Sequence, residues 1–173
     1  WYGIMPFLWL TAGQLLEALQ RYNEAAQAYQ RYAREFPNEP DAPAQAYQAA
    51  VIYQRMKDWG RLIDGLNKFI AQFKDVKKYP GESERIVQAR LKIALAYREL
   101  KDEKSAMRGF DETLREYVSR AMTKDNYLAA QSAGEAKFWI TQTEFDEFNK
   151  LKFDPKGRGA KLQKDTVDQL QRL

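Results

Sequence analysis

Residues 9–37 read WLTAGQLLEALQRYNEAAQAYQRYAREFP, and this stretch decides the fold. It is built from Ala, Leu, Gln, Glu and Arg, which favour helix, and it is interrupted once, at Arg21-Tyr22-Asn23, before it ends on Phe36-Pro37. Two helices joined by a tight turn follow from that pattern. Small residues fall at intervals inside both halves (Ala12, Gly13, Ala25, Ala26, Ala28), with large ones between them (Trp9, Leu16, Tyr29). Such a pairing lets two helix backbones approach closely while bulky side chains fill the flanks.

Working outward, the same arrangement returns twice. Tyr22–Tyr29 aligns with Trp59–Leu66 at an offset of 37 residues and with Glu103–Phe110 after a further 44, and the second helices end on matching aromatics, Phe36, Phe73 and Tyr117. Stronger breaks separate the units: Pro37–Pro43, then Lys78–Ser83, and later Asp154–Gly159. No alternation rich in Val, Ile or Thr suggests a strand. The fold class is therefore all-α, an α-solenoid of antiparallel helix pairs in which no unit buries its apolar face alone.

The chain resembles the tetratricopeptide repeat family, whose unit reads W-x2-L-G-x2-Y, A-x3-F, P. Unit one matches with Trp9, Ala12, Gly13, Leu16, Ala25, Tyr29 and Pro37. Unit two offers Ala46, Ala49, Ala50, Tyr53, Leu62 and Leu66, with Lys74 in place of the closing proline. Unit three offers Arg90, Ile93, Ala94, Tyr97, Ala106 and Phe110. Leu62 departs from the usual small residue and Arg90 from the usual large one. The resemblance implies a right-handed superhelix with units at about 3–37, 41–74 and 83–117, and packing positions that include Trp9, Gly13, Ala25, Tyr29, Pro37, Ala50, Tyr53, Ala94, Tyr97, Ala106 and Phe110. Residues 118–153 read as a degenerate fourth repeat or capping helices, and 154–173 as a Gly-rich break and the start of a further helix.

Composition excludes several chemistries. The 173 residues include no His and no Cys, so Ser–His and Cys–His nucleophilic centres and thiolate zinc sites cannot be assembled within the chain. Lys and Arg number 28 against 24 Asp and Glu. They divide as 5 and 6 in residues 1–60, 14 and 10 in 61–120, and 9 and 8 in 121–173, so no third is a strong polycation and nucleic-acid binding is not expected. Two basic patches, Lys74/Lys77/Lys78 and Lys150/Lys152/Lys156/Arg158/Lys161/Lys164, are diluted by Asp75, Asp146, Glu147, Asp154 and Asp165 and read as solvated surface. The carboxylate neighbours Glu82/Glu84, Asp102/Glu103 and Asp111/Glu112 are the remaining route to acid–base catalysis, but acids at helix starts already have a role at the helix dipole. No enzyme activity, cofactor or metal is expected.

By the family's pattern, a partner peptide or helix lies in the concave groove formed by the first helix of each pair. Carried over position by position, the groove is lined by Leu10, Gln14 and Glu17, by Tyr47, Val51, Gln54 and Arg55, and by Leu91, Leu95 and Arg98. Apolar at its base and polar above, it suits an amphipathic helix or an extended segment. The same residues serve equally as ordinary contacts between repeats. The family's Lys and Asn clamp for a terminal carboxylate is not formed by these residues.

Residues 36–54 and 136–153 are similar in style to tetratricopeptide proteins of the Gram-negative envelope, including the large repeat proteins of myxobacterial gliding motility. That likeness implies a periplasmic or outer-membrane-associated assembly, with a cytoplasmic location as the alternative. No run of apolar residues is long enough to span a membrane. Without an initiating Met the chain reads as a processed form or a fragment, and a lipid anchor would lie upstream; oligomeric state does not follow from the residues. Two other functions stay open, a helical-repeat RNA binder of the pentatricopeptide kind and the repeat domain of a larger glycan-active enzyme.

Overall fold

A computed structural model describes residues 5–150. The described residues form seven helices, α1 (Met5–Ala18), α2 (Tyr22–Glu35), α3 (Ala42–Arg55), α4 (Trp59–Phe73), α5 (Ser83–Glu99), α6 (Glu103–Ser119) and α7 (Tyr127–Lys150), with one 3-10 turn at Pro80–Glu82 before α5. Each helix packs on the next in sequence, and α7 also lies against α5. This is an all-α helical-repeat solenoid.

The turns within the pairs are copies of one another. Gln20, Lys57 and Lys101, spaced by 37 and 44 residues, all adopt left-handed backbone, with φ of 60°, 54° and 61°. In each turn that residue's N–H bonds three residues back and the following N–H bonds five residues back, as in Arg21 N to Leu16 O at 2.8 Å, Asp58 N to Tyr53 O at 3.0 Å and Asp102 N to Tyr97 O at 3.0 Å. This is the Schellman closure, which satisfies the last carbonyls of the first helix while reversing the chain. The second helix then opens on a cap. Asp58 accepts from Arg61 N and Asp102 from Ser105 N, both at 3.0 Å, whereas Arg21 in unit one supplies no side-chain cap.

Close approach within the pairs rests on small residues. A Cβ placed on Gly65 would stand 2.8 Å from the Ala50 Cβ, and one on Gly109 would stand 2.8 Å from the Ala94 Cβ; on Gly13 it would run into the Tyr29 ring at 2.5 Å. Around these crossings the core divides in two. The larger cluster joins Tyr29, Ile52, Leu62, Leu66, Phe69 and Phe73 with Ile86 and Ile93, and the smaller joins Leu91, Ala94, Ala106 and Phe110 with Ala136 and Ile140. In α4 the buried residues Leu62, Ile63, Leu66, Phe69, Ile70 and Phe73 recur at three- and four-residue steps, which makes one continuous apolar face.

Residues 118–153 were expected to hold a degenerate repeat or capping helices; within them the structure places one 24-residue helix, α7. Its start is fixed by α5, because Glu84 accepts hydrogen bonds from Leu128 N at 3.0 Å and Ala129 N at 3.3 Å and so caps a helix more than forty residues away. The face bearing Ala129, Ala133, Ala136 and Ile140 is buried. α6 runs to Ser119, two residues past the expected end of unit three. The expected Gly-rich break at 154–159, the helix from Lys161, and residues 3 and 4 of unit one lie outside the described residues. No helix among the described residues is long and apolar enough to cross a membrane.

Candidate interaction face

The first helices of the pairs, α1, α3 and α5, are stitched to one another and to α7 by polar side chains. Glu17 on α1 accepts from Tyr29 Oη on α2 at 3.0 Å and from Gln48 Nε2 on α3 at 3.2 Å, and its carboxylate pairs with Arg55 at 3.2 Å. Burial first, and then the adjoining Glu17 carboxylate, push the Tyr29 hydroxyl up to about 12. From α3 to α5, Tyr47 Oη donates to Gln88 Oε1 at 2.5 Å, Lys92 Nζ donates to Gln54 Oε1 at 3.0 Å, and the Arg85 guanidinium lies 5.8 Å from the Tyr47 ring centre. From α5 to α7, the Arg98 guanidinium stacks 3.3 Å from the centre of the Trp139 ring. Lys92 loses proton affinity to burial, partly restored by the charge of Glu135 on α7.

The residues assigned to the groove from the family pattern therefore fall into three groups. Glu17, Tyr47, Gln54, Arg55 and Arg98 are brought together in this ladder, each bonded to or stacked on a neighbouring repeat. Leu10, Val51 and Leu95 are half-buried and pack at the edge of the core, while Gln14 is exposed. Leu91 is 5% exposed and belongs to the smaller core cluster, so it presents almost no surface to a partner. The family pattern missed Gln48, Arg85, Gln88, Lys92 and Trp139. Gln48 lies seven residues before Arg55, and Arg85, Gln88 and Lys92 follow one another at steps of three and four, and that spacing was the available signal.

The packing positions are occupied as follows. Ala25, Tyr29, Ala50, Tyr53, Ala94, Ala106 and Phe110 are buried, as is Gly13; Trp9 and Tyr97 are half-buried, and Pro37 is exposed at the end of unit one. Trp9 is covered by the Arg31 guanidinium, 4.1 Å from its ring centre, and Tyr53 by Arg61 at 4.5 Å.

Four of the six carboxylate candidates have structural partners. Glu82 pairs with Arg85, Glu84 caps α7, Asp102 caps α6, and Glu112 pairs with Arg90 at 3.2 Å. In the basic loop, Asp75 accepts from Lys77 N at 2.9 Å, and Lys74 offers its carbonyl to Arg120 at 3.1 Å, while the three Lys side chains stay exposed.

A tetratricopeptide repeat model matches the chain at residues 8–39 and again at 88–118, the stretches that fold as α1–α2 and as most of α5–α6. No curated protein matches the chain. Repeats of this family mediate protein–protein interaction and are typically non-enzymatic scaffolds. With helix pairs stacked in one register and the first and third of them matched, the chain carries tetratricopeptide repeats.

Proposed function

We propose that the chain is a non-enzymatic scaffold that holds an acidic, amphipathic segment of a partner protein along the face formed by α1, α3 and α5. The observation that carries this reading is the cationic row on that face. Arg55 ends α3, and Arg85, Lys92 and Arg98 are carried by α5; contacts with Glu17, with Glu82 and Tyr47, with Gln54 and with Trp139 fix where their charges stand. A side chain already held loses less rotamer entropy when a partner arrives, which favours binding. Half-buried Leu10, Val51 and Leu95 supply apolar contact beside the charges. The likeness of residues 36–54 and 136–153 to Gram-negative envelope proteins supports an envelope assembly, such as one serving motility, as the setting.

Binding is tested by enriching partners from a Gram-negative envelope extract on the wild-type chain and on a Gln54→Ala/Arg55→Ala/Arg98→Ala variant, then titrating the recovered protein against both. The variant is expected to bind at least tenfold more weakly while keeping its helical circular dichroism. Equal binding would overturn the assignment to this face. Retained binding that weakens steeply with salt and is lost on changing Lys74, Lys77 and Lys78 would instead favour a phosphate-rich ligand.

A further inference from the structure

The register of the helix pairs matches one first-helix position with one second-helix position in each unit: Trp9 with Arg31, Ala46 with Lys68, and Arg90 with Glu112, at the offsets of 37 and 44 residues that also separate the turns. In the first pair the Arg31 guanidinium covers the Trp9 ring, 4.1 Å from its centre. In the third, Arg90 meets Glu112 at 3.2 Å. The second pair keeps the cation but has only a methyl group where the ring would stand. Lys68 turns instead to Asp64, one helical turn back on α4, at 2.7 Å.

Beside Ala46 this leaves a cavity of about 290 Å³. Its inner wall is apolar, formed by Ala33, Ala46, Ala50, Gly65 and the ring of buried Phe69. Exposed Gln30 and Arg34 on α2 and Lys68 and Gln72 on α4 make the rim, so the mouth lies between second helices and away from the face formed by α1, α3 and α5. The wall cannot close by bringing α3 and α4 together, because they already touch where Gly65 crosses Ala50 and an added Cβ would stand 2.8 Å from the Ala50 Cβ. An apolar void of roughly 150 Å³ is enough to hold benzene. The larger space here has room for an indole like the one that Trp9 places in the first pair.

Charge decides what accompanies the ring. Both charged groups in the lining, Arg34 and Lys68, are cations. Arg34 has no carboxylate partner among the described residues, and the Lys68–Asp64 pair is 76% and 63% exposed, a kind of pair that contributes little and exchanges readily. We propose that the cavity beside Ala46 docks an aromatic side chain from an acidic segment of a partner protein, with Lys68 lying over the ring as Arg31 lies over Trp9 and Arg34 meeting a neighbouring carboxylate. This site is separate from the cationic row on the first helices, and neither depends on the other.

The probe is the peptide acetyl-Glu-Trp-Glu-amide, followed through the backbone amide resonances of the isotope-labelled chain. Saturable shifts are expected at Ala46, Gly65 and Lys68, half-complete in the millimolar range that burial of one ring supports, while acetyl-Glu-Ala-Glu-amide leaves those amides in place. Ala46→Trp fills the cavity from within and is expected to abolish the shifts without lowering the melting temperature. Lys68→Glu, an exposed change that leaves the core untouched, is expected to weaken binding about threefold to tenfold. Unmoved amides at the cavity, shifts confined to Gln54 and Arg98 on the first-helix face, or binding unaltered in both variants would overturn the proposal. Free indole binding as tightly as the peptide would also overturn it, by giving the cavity to small aromatic molecules.

Discussion

In the second helix pair the position that opens the packing row of the first helix is Ala46; in the third it is Arg90, 44 residues on. Across from them, the second helices carry Phe69 and Thr113 at another shared register position, both buried. The two pairs have exchanged volume, small against large in one and large against small in the other. Each exchange has a consequence. Beside Ala46 a cavity of about 290 Å³ opens between α2, α3 and α4, with Ala33, Ala50, Gly65, Lys68 and Phe69 in its lining. Arg90 instead meets Glu112 at 3.2 Å and Glu116 at 3.3 Å, and Glu116 is held in turn by Arg120, whose side chain is 6% exposed. In the first pair the same two positions carry Trp9 and the buried Tyr32, and Arg31, one residue before Tyr32, covers the Trp9 ring. The repeat dictates how closely two backbones cross and leaves the chemistry of the flank free.

The largest effect is expected where the second pair depends on one large side chain. Phe69 is 2% exposed, stacks on Tyr47 with ring centres 5.4 Å apart and on Phe73 at 5.3 Å, and walls the Ala46 cavity. Phe69→Ala merges its own volume with that void and is expected to cost about 3–5 kcal/mol in urea denaturation. A cost below about 1 kcal/mol would mean that the pair closes over the gap, and the volume exchange would lose its force.

A smaller effect tests what the pairs share. Ala at Gly109 improves helix propensity by up to about 1 kcal/mol, but its Cβ would stand 3.0 Å from the Ala94 Cα, a backbone atom that moves only if the helices separate. Overpacking of this kind costs about 1–3 kcal/mol, so Gly109→Ala is expected to destabilise by about 1–2 kcal/mol net, and Gly65→Ala by a similar amount against Ala50. If either substitution stabilised the chain in the same denaturation assay, the crossing would not be the shared constraint.

The helix pairs were legible because their turns are local. Breaks at Arg21-Tyr22-Asn23, Lys57–Gly60 and Lys101-Asp102-Glu103 fall at or just after the left-handed residue, which in the last two pairs is followed by an Asp cap, and these features depend on a few consecutive residues. α7 was less legible because its small residues, Gly134 among them, fit either one helix or a pair. A glycine costs a helix interior only about 1 kcal/mol, and burial of Ala129, Ala133, Ala136 and Ile140 offsets that. The candidate face was legible in part. Glu17, Arg55 and Arg98 could be placed by register, but Arg98 is fixed by Trp139, 41 residues away on a helix whose seat against α5 no local pattern encodes. Arg90 looked like a departure from the repeat until Glu112 and Glu116 supplied its partners from α6.

The smallest expected effect separates the first pair from the other two by pH. Asp58 is held below the usual carboxylate range by the Arg61 backbone N–H and then by its guanidinium, and Asp102 by hydrogen bonding from Ser105; Arg21 opens α2 with no equivalent acid. A carboxylate whose folded pKa is depressed contributes stability above its unfolded value, about 3.9, and loses that contribution as pH falls through the folded value. Asn keeps the accepting oxygen at the cap and removes only the charge. The Asp58→Asn/Asp102→Asn variant is therefore expected to melt a few degrees below wild type at pH 7, with the gap closing as the pH is lowered from about 5 toward 3. Equal melting of the variant and wild type at pH 7 would assign the caps' contribution to hydrogen bonding alone. The last two pairs would then differ from the first in geometry, through a side-chain acceptor that α2 lacks, and charge at the caps would play no part in the difference.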